Sequence, residues 1–217
     1  MSHEQRSFKV ARMVVRRLII PLLADFTVAG LENTPHTGPF IAAANHKSML
    51  DIPILMAVLP RRPSIMAKDS LYFRGSHWFW RWGDAIPVRR DGMDRKALRA
   101  AAERLQQGIP FGIFPEGTRV REGSLGTGKA GAGMIALRSQ APVLPVAFTG
   151  TANILRGHKP HLRPQVTMTV GTPIPHEEIA AAGSPQAATD LVMRRIAALL
   201  SPEARGPYSE NQQDGSS

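Results

Sequence analysis

The feature that most constrains the fold is an apolar run, residues 38–44, that gives way at once to the polar stretch Asn45-His46-Lys47-Ser48-Met49-Leu50-Asp51. Such a run predicts a buried strand, and the apolar residues 53–59 that follow predict a helix. Strands that lead into helices are typical of α/β proteins, in which reactive side chains collect beyond the carboxyl ends of the strands. The chain is therefore expected to have an α/β fold, and its 217 residues suit one domain.

Two interpretations of His46 and Asp51 are open. In the catalytic one, the Asp51 carboxylate fixes the tautomer of the imidazole, which takes a proton from a hydroxyl group. In the structural one, Ser48 and Asp51 begin a helix and His46 is incidental. Pro53 argues against the second, because proline suits the first position of a helix better than the fifth. We therefore expect the helix to begin at Pro53, with Asp51 before it and free to face His46.

A second apolar run, residues 109–113, also ends in polar residues, Phe114-Pro115-Glu116-Gly117-Thr118-Arg119. Together the two stretches resemble the glycerolipid acyltransferase family. Four blocks in the family's order and spacing, between residues 38 and 151, carry the resemblance: Asn45-His46 with Asp51, residues 83–90, Phe114 to Arg119 with Gly123, and Val143-Leu144-Pro145-Val146 with Gly150. One departure is Arg89, which stands where the family frequently has an acidic residue.

The resemblance implies a fold and a reaction. The fold is a single-domain mixed β-sheet flanked by helices, expected over residues 26–200. The reaction is transfer of a fatty acyl group from acyl-CoA or acyl carrier protein to the sn-2 hydroxyl of 1-acylglycerol-3-phosphate, which forms phosphatidic acid in phospholipid biosynthesis. The acyl thioester is a co-substrate, and neither a cofactor nor a metal is expected. Another lysolipid or glycerol acceptor fits the same motifs.

The resemblance also assigns roles to residues. His46 is the expected general base and Asp51 its orienter, without an acyl-enzyme intermediate. Residues expected to bind the acceptor, with the arginines on its phosphate, are Asn45, Lys68, Arg90, Glu116, Gly117, Thr118 and Arg119. Two of these have an alternative: Glu116 could instead position Arg119, and Lys68 could be an exposed lysine at a strand end. Lys129 closes a glycine-rich stretch without Walker spacing, which predicts a flexible loop with Lys129 near an anionic substrate.

Net charge and cysteine content limit the classes of binding partner and of site that the chain can have. Lys and Arg total 27 against 17 Asp and Glu, and the resulting charge of +10 favours an anionic partner, whether a lipid surface, a phosphorylated substrate, an acidic carrier protein or nucleic acid. The absence of cysteine excludes disulfides and cysteine-based metal or nucleophile sites. Aromatic residues are interleaved with basic ones between 71 and 82, and such a cluster could stack nucleobases, face a bilayer interface, line an acyl pocket or pack in the core. No nucleic-acid motif accompanies it, so no nucleic acid is expected. The competing functional class is a non-catalytic protein that binds anionic lipid or nucleic acid.

Residues 1–25 are predicted to form a basic amphipathic helix. Its basic arc holds Arg6, Lys9, Arg12, Arg16 and Arg17, and its apolar arc holds Phe8, Val14, Val15, Leu18, Ile19 and Leu22. The apolar run 18–24 is too short to span a membrane, and the arginines do not suit a signal peptide. The helix either packs on the protein's own core with a solvated basic face or binds an anionic membrane surface. The second interpretation places the protein in the cytoplasm, peripherally attached to the cytoplasmic face of the cell membrane.

Periodicity predicts the remaining elements. Strands are expected at 26–31, adjacent to the strand at 40–44, and at 64–68, 141–148 and 166–170. Helices are expected at 94–107, 130–139 and 186–200. Residues 201–217 are rich in Pro, Gly, Ser, Gln and Asn, which predicts a disordered tail.

Overall fold

The computed structural model describes residues 10, 12–68, 84–88, 95–120, 123–154 and 163–209. Within these ranges one mixed sheet has seven strands: β1 Asp25–Ala29, β2 Ile41–Ala44, β3 Ser64–Lys68, β4 Ala85–Val88, β5 Phe111–Ile113, β6 Val143–Thr149 and β7 Gln165–Val170. The α-helices of the same ranges are α1 Ile20–Leu23, α2 Asp51–Val58, α3 Arg95–Gln106, α4 Ala130–Ser139, α5 Thr151–Ile154, α6 His176–Ala181 and α7 Pro185–Ala198. The predicted α/β fold with a mixed sheet and flanking helices is confirmed.

The strand order is β1-β7-β6-β2-β5-β3-β4. The five strands from β6 to β4 run parallel, whereas β7 is antiparallel to β6, and β1 is parallel to β7. The carboxyl ends of β2, β5, β3 and β4 therefore meet at one edge of the sheet. The expectation that β1 and β2 are adjacent is wrong, because β7 and β6 lie between them.

The core has two layers, one on each face of the sheet. Ile41 and Ala43 of β2 join the layer under α3, α4 and α7, while Phe40, Ala42 and Ala44 join the layer under α2 and the N-terminal helix. Because β2 is buried on both faces, its sequence is a continuous apolar run rather than an alternating one.

Helix α2 begins two residues earlier than predicted, at Asp51. Its first intrahelical hydrogen bond runs from Ile54 N to Leu50 O. Pro53 is thus the third helical residue, where a backbone N–H has no partner within the helix. The missing N–H of proline costs nothing there, so Pro53 did not mark the helix start.

The N-terminal helical segment contains a π turn, Val15–Ile19, and ends with α1. Residues 1–9 and 11 of the predicted helix lie outside the described residues. Ile20 is 5% exposed in the core, and the Arg12 side chain donates to Ala57 O (2.8 Å), Pro60 O (3.0 Å) and Val58 O (3.4 Å). Arg12 therefore caps the carboxyl end of α2 instead of lying on a solvated basic face.

The opposite side of this segment exposes apolar side chains to solvent. These are Val10, Met13, Val14, Leu18, Ile19, Leu22 and Leu23, which we call the N-terminal apolar face. Arg16 and Arg17 are also exposed. No helix in the described ranges is both long and apolar enough to cross a membrane.

The prediction of disorder from residue 201 onward is wrong for residues 201–209, which we call the post-α7 segment. They form two 3₁₀ turns, Pro202–Ala204 and Gly206–Tyr208, after α7. The segment is ordered because Ala204 and Tyr208 pack on the core. Residues 210–217 lie outside the described residues.

Candidate active site

The two polar stretches that follow β2 and β5 come together because these strands are parallel neighbours, with Ala43 paired to Ile113. Beyond the strand ends, His46 N donates to Glu116 Oε2 at 2.7 Å, and Val120 N donates to His46 O at 2.8 Å. The backbone of His46 is therefore fixed from both sides by the loop after β5.

The side chains of His46 and Asp51 form a buried pair. His46 Nδ1 lies 2.9 Å from Asp51 Oδ2, and His46 is 6% exposed. Asp51 Oδ2 also accepts the backbone N–H groups of Lys47 and Ser48, each at 2.7 Å. Because Oδ2 acts as an acceptor in both of these contacts, we assign Nδ1 as the donor in the third, which leaves Nε2 of the neutral imidazole with its lone pair. The predicted contact between the two side chains is present.

The position of Asp51 follows from the local backbone. As the first residue of α2, Asp51 reaches back with its side chain over the preceding turn and satisfies two backbone N–H groups there, before the helix begins. Its other oxygen, Oδ1, is buried and has no hydrogen-bond partner among the described residues. Asp51 therefore holds the turn and the imidazole through one oxygen.

The imidazole ring is also held by packing. Its centroid lies 4.2 Å from that of Phe114, and the ring planes are inclined by 28°. Stacking fixes the ring orientation that the Asp51 hydrogen bond alone would leave free to swing. Phe114 was included in the third block of the resemblance without a role of its own.

Glu116 is 2% exposed and has both carboxylate oxygens engaged with backbone N–H groups. Oε2 accepts from His46 N, and Oε1 accepts from Gly126 N at 2.7 Å. Burial raises the pKa of Glu116 above its ordinary value, and these N–H groups together with the Lys47 charge offset that shift only in part. Glu116 thus links the His46 backbone to the glycine-rich loop, which we define as residues 123–129.

Lys47 is a residue that the sequence analysis missed. Its Nζ donates to Gly123 O at 3.0 Å and to Ser124 O at 2.7 Å, so it ties the turn after β2 to the glycine-rich loop. Burial lowers the pKa of Lys47, against the opposing charges of Glu116 and Asp51. The only sequence signal was a basic residue beside His46, because its partners are backbone carbonyls far along the chain.

The predicted substrate-binding residues fall into different environments. Asn45 is fully buried, and its amide exchanges two hydrogen bonds with the backbone of Phe148, at 3.0 and 2.7 Å. Thr118 is exposed and Arg119 partly exposed, beside the loop. Gly117 has φ +68°, and a Cβ there would lie 2.9 Å from Lys129 Cδ, so the Lys129 side chain covers Gly117. Substrate contact by these residues stays a prediction.

For two of the predicted substrate-binding residues, Lys68 and Arg90, the structure describes only the backbone of the first. Lys68 is the last residue of β3 and pairs with Val88 of β4, so its backbone lies at the same sheet edge as His46. Its side chain, and Arg90 as a whole, lie outside the described residues. Within the described ranges, no three His, Asp or Glu side chains cluster as a metal site requires.

Comparison with known proteins identifies the family. The sequence pattern described as Acyltransferase matches residues 25–149, which contain the His46–Asp51 pair and the Glu116 loop. The chain belongs to the acyltransferase family. The chain is 33% identical over 134 residues to the mouse 1-acyl-sn-glycerol-3-phosphate acyltransferase alpha, a match that covers 56% of the chain and 44% of the relative. The chain thus spans less than half the length of that relative.

Two bacterial proteins match over more of their length. The chain is 28% identical over 168 residues to the 1-acyl-sn-glycerol-3-phosphate acyltransferase of Bacillus subtilis strain 168, a match that covers 76% of the chain and 81% of the relative. The crystal structure of the 1-acyl-sn-glycerophosphate (LPA) acyltransferase PlsC from Thermotoga maritima is similar, with a TM-score of 0.73 and 29% identity. That match covers 90% of this chain and 80% of the crystallised chain.

Proposed function

We propose that the protein transfers a fatty acyl group from the thioester of acyl-CoA or acyl carrier protein to the sn-2 hydroxyl of 1-acylglycerol-3-phosphate, and so forms phosphatidic acid. The observation that carries the proposal is the buried His46–Asp51 pair, in which His46 Nδ1 lies 2.9 Å from Asp51 Oδ2. A neutral imidazole that donates from Nδ1 to this carboxylate presents the lone pair of Nε2 as the base. The relatives from mouse and B. subtilis, both named 1-acyl-sn-glycerol-3-phosphate acyltransferases, support the choice of acceptor.

The proposed reaction needs one base and no covalent intermediate. His46 Nε2 takes the proton of the acceptor hydroxyl while the hydroxyl oxygen attacks the thioester carbonyl carbon, which forms the new C–O bond. Asp51 stabilises the imidazolium that results. The tetrahedral intermediate then breaks its C–S bond, and the imidazolium returns the proton to the leaving sulfur. The products are the ester and a free thiol.

Cationic side chains at the same sheet edge suit the phosphate of the acceptor. Arg119 lies in the stretch that follows β5 and Lys129 in the glycine-rich loop, and Arg90 comes two residues after β4 in the sequence. The planar fork of an arginine binds two phosphate oxygens at once, which an ammonium group does not. Because both Glu116 oxygens hold backbone N–H groups, we assign Glu116 to positioning His46 rather than to the acceptor.

The N-terminal apolar face supports a peripheral position on the cytoplasmic face of the cell membrane. Seven apolar side chains on one short segment face solvent, and the exposed Arg16 and Arg17 lie among them. This combination suits a segment that lies in the lipid headgroup region, with its cations near anionic lipids. An active site held there receives a lipid acceptor without its full transfer into water.

The test combines purified protein, a long-chain acyl-CoA or acyl carrier protein, and a panel of lysolipids. Free thiol release and product mass would report acyl transfer. We expect phosphatidic acid to form, and we expect His46→Ala to lower kcat by about 10²- to 10⁴-fold, the contribution typical of a positioned base. His36→Ala is the matched control, because His36 is exposed on the loop before β2. Absence of thiol release with every lysolipid, or unimpaired turnover by His46→Ala, would refute the proposal.

A further inference from the structure

The post-α7 segment lies against the glycine-rich loop. Leu125 N donates to Ala204 O at 2.8 Å, and Gly128 N donates to Tyr208 Oη at 3.0 Å. The Tyr208 hydroxyl in turn donates to Asp190 Oδ1 of α7 at 3.2 Å. The segment therefore satisfies two backbone N–H groups of a loop that belongs to neither a helix nor a strand.

The contact is too close to tolerate a side chain at its centre. Gly206 has φ +56°, and a Cβ there would lie 2.3 Å from Leu125 O and 2.9 Å from Ser124 Oγ. The Leu125 side chain is 2% exposed, in the same core layer on which Ala204 and Tyr208 pack. The loop is thus held between the core below and the post-α7 segment beside it.

The other side of the loop reaches the active site. Gly126 N donates to Glu116, whose second oxygen accepts from His46 N, and Lys47 Nζ donates to Gly123 O and Ser124 O. The loop therefore connects the post-α7 segment to His46 N, through Glu116, and to the next residue along the chain, through the Lys47 side chain. A shift of the loop would move the Glu116 and Lys47 contacts together.

We infer that the post-α7 segment is a positioning element of the active site and that Tyr208 is a positioning residue, which acts through the glycine-rich loop and Glu116 on His46. The inference rests on the proposed acyl transfer. A loop rich in glycine has little conformational preference of its own, so its geometry depends on the contacts that hold it. Burial raises the pKa of the Tyr208 hydroxyl. Tyr208 therefore keeps its proton near neutral pH and can both donate to Asp190 and accept from Gly128.

The decisive variant is Tyr208→Phe, which removes the hydroxyl and keeps the ring. We expect kcat to fall by between about threefold and a hundredfold, the upper value being the cost of a misplacement of about 1 Å at a reacting centre. We expect the KM values for donor and acceptor to stay close to those of the unaltered protein, because Tyr208 is not among the residues proposed to bind substrate. Hydrogen exchange at the amides of residues 123–129 is expected to be at least about fivefold faster.

Ser139→Ala is the matched control. Ser139 Oγ also donates one hydrogen bond, to Ala136 O, and accepts one, from Ala141 N, but it lies at the opposite end of α4 from the loop. This control is expected to lower Tm without changing kcat or the exchange of the loop. Gly206→Ala is an independent variant that pushes the segment from Leu125, and it is expected to reproduce the kcat and exchange changes of Tyr208→Phe.

The outcomes separate the two proposals. Acyl transfer by the unaltered protein, abolished by His46→Ala, supports the proposed function whatever Tyr208→Phe does. If Tyr208→Phe then keeps its full kcat and unchanged loop exchange, the positioning role is overturned. The same conclusion follows if Tyr208→Phe and Ser139→Ala lower kcat equally. If the unaltered protein transfers no acyl group, the proposed function fails. If the unaltered protein is active and Tyr208→Phe speeds hydrogen exchange of the loop without changing kcat, the contact is only structural and the positioning role is overturned.

Discussion

A single carboxylate oxygen organises the proposed base. Asp51 Oδ2 accepts from His46 Nδ1, Lys47 N and Ser48 N, whereas Oδ1 has no hydrogen-bond partner among the residues that the structure describes. An asparagine can therefore place its carbonyl oxygen at the position of Oδ2 and its NH₂ group at that of Oδ1 without opposing another donor. Substitution of Asp51 can therefore distinguish two effects of this residue, the orientation of the imidazole by a hydrogen bond and the stabilisation of the imidazolium by a negative charge.

We predict that Asp51→Asn keeps the fold and the imidazole tautomer but lowers kcat by about tenfold or more. The reason is that a hydrogen bond to a neutral amide stabilises the imidazolium less than one to a carboxylate. Asp51→Ala, which loses the orientation as well, is expected to be slower still. Steady-state kinetics of both variants beside Asp25→Asn, an exposed aspartate on β1, checks this. Equal kcat values for Asp51→Asn and Asp51→Ala would contradict it.

Glu116 makes the free energy of unfolding depend on pH. Burial raises its pKa above the ordinary value of 4.5, so the folded state favours the protonated form more than the unfolded state does. The resulting contribution to stability is complete below about pH 4.5 and is lost as pH rises through the folded pKa. We predict that the unaltered protein loses stability relative to Glu116→Gln across this window.

Urea unfolding at a series of pH values measures this difference. Glu103→Gln is the control, because Glu103 is exposed on α3 and pairs only at the surface with Arg99. Its stability curve is expected to run parallel to that of the unaltered protein. A difference between the protein and Glu116→Gln that changes in the opposite direction would mean that the two N–H donors outweigh burial.

Sequence patterns located the elements around the site well, but not their ends or their side contacts. The strands β2 and β5 were predicted because both are buried on both faces and so appear as continuous apolar runs. The pair His46 and Asp51 was predicted because its members are close in sequence. The hydrogen bonds of Glu116 to His46 N and Gly126 N, and those of Lys47 to the glycine-rich loop, could not be predicted. Their partners are backbone groups that only tertiary packing brings near.

At the scale of the element, the N-terminal segment is attached to the core and also exposes apolar side chains to solvent. Arg12 and Ile20 attach it to the core, while Leu18 and Leu22 are 65% and 78% exposed. Deletion of the first 20 residues would therefore remove the α2 cap and a core side chain as well as exposed apolar surface. Substitution of exposed side chains alone is the cleaner test of membrane binding.

We predict that the double substitution Leu18→Glu with Leu22→Glu lowers binding to anionic vesicles by at least about tenfold. The reason is that burial of each leucine side chain in lipid would contribute roughly 1.5–3 kcal/mol to the free energy of binding. Acyl transfer to a water-soluble short-chain acceptor is expected to persist. Co-sedimentation at low and high salt measures the binding, and salt is expected to weaken it through screening of the basic residues.

The matched control for this pair is Gln106→Glu with Gln107→Glu. These glutamines are exposed at the end of α3, which packs on the other face of the sheet from the N-terminal segment. The control adds the same charge at a distance from the N-terminal apolar face and is expected to bind nearly as well as the unaltered protein. Equal vesicle binding by both double variants would contradict membrane docking by this face.

At the scale of the whole molecule, the order of strands was the part of the fold that the sequence did not reveal. Neighbours along a chain usually pair, which is why β1 was expected beside β2. In the structure β1 is instead the outermost strand of the sheet and pairs with β7, with Asp25 in register with Gln165. The pattern of apolar residues within a strand describes its burial and carries no information about a partner so distant in sequence.

The pairing of β1 with β7 also sets an order of events while the chain is being synthesised. A ribosome that adds about 5–20 residues per second needs roughly 7–28 seconds to pass from Asp25 to Gln165. Strands β2, β5 and β6, which carry or adjoin the His46 and Glu116 loops, have all been made before β7 emerges. The nascent chain thus holds β2, β5 and β6 while β1, which follows the N-terminal segment, still lacks its neighbour in the sheet.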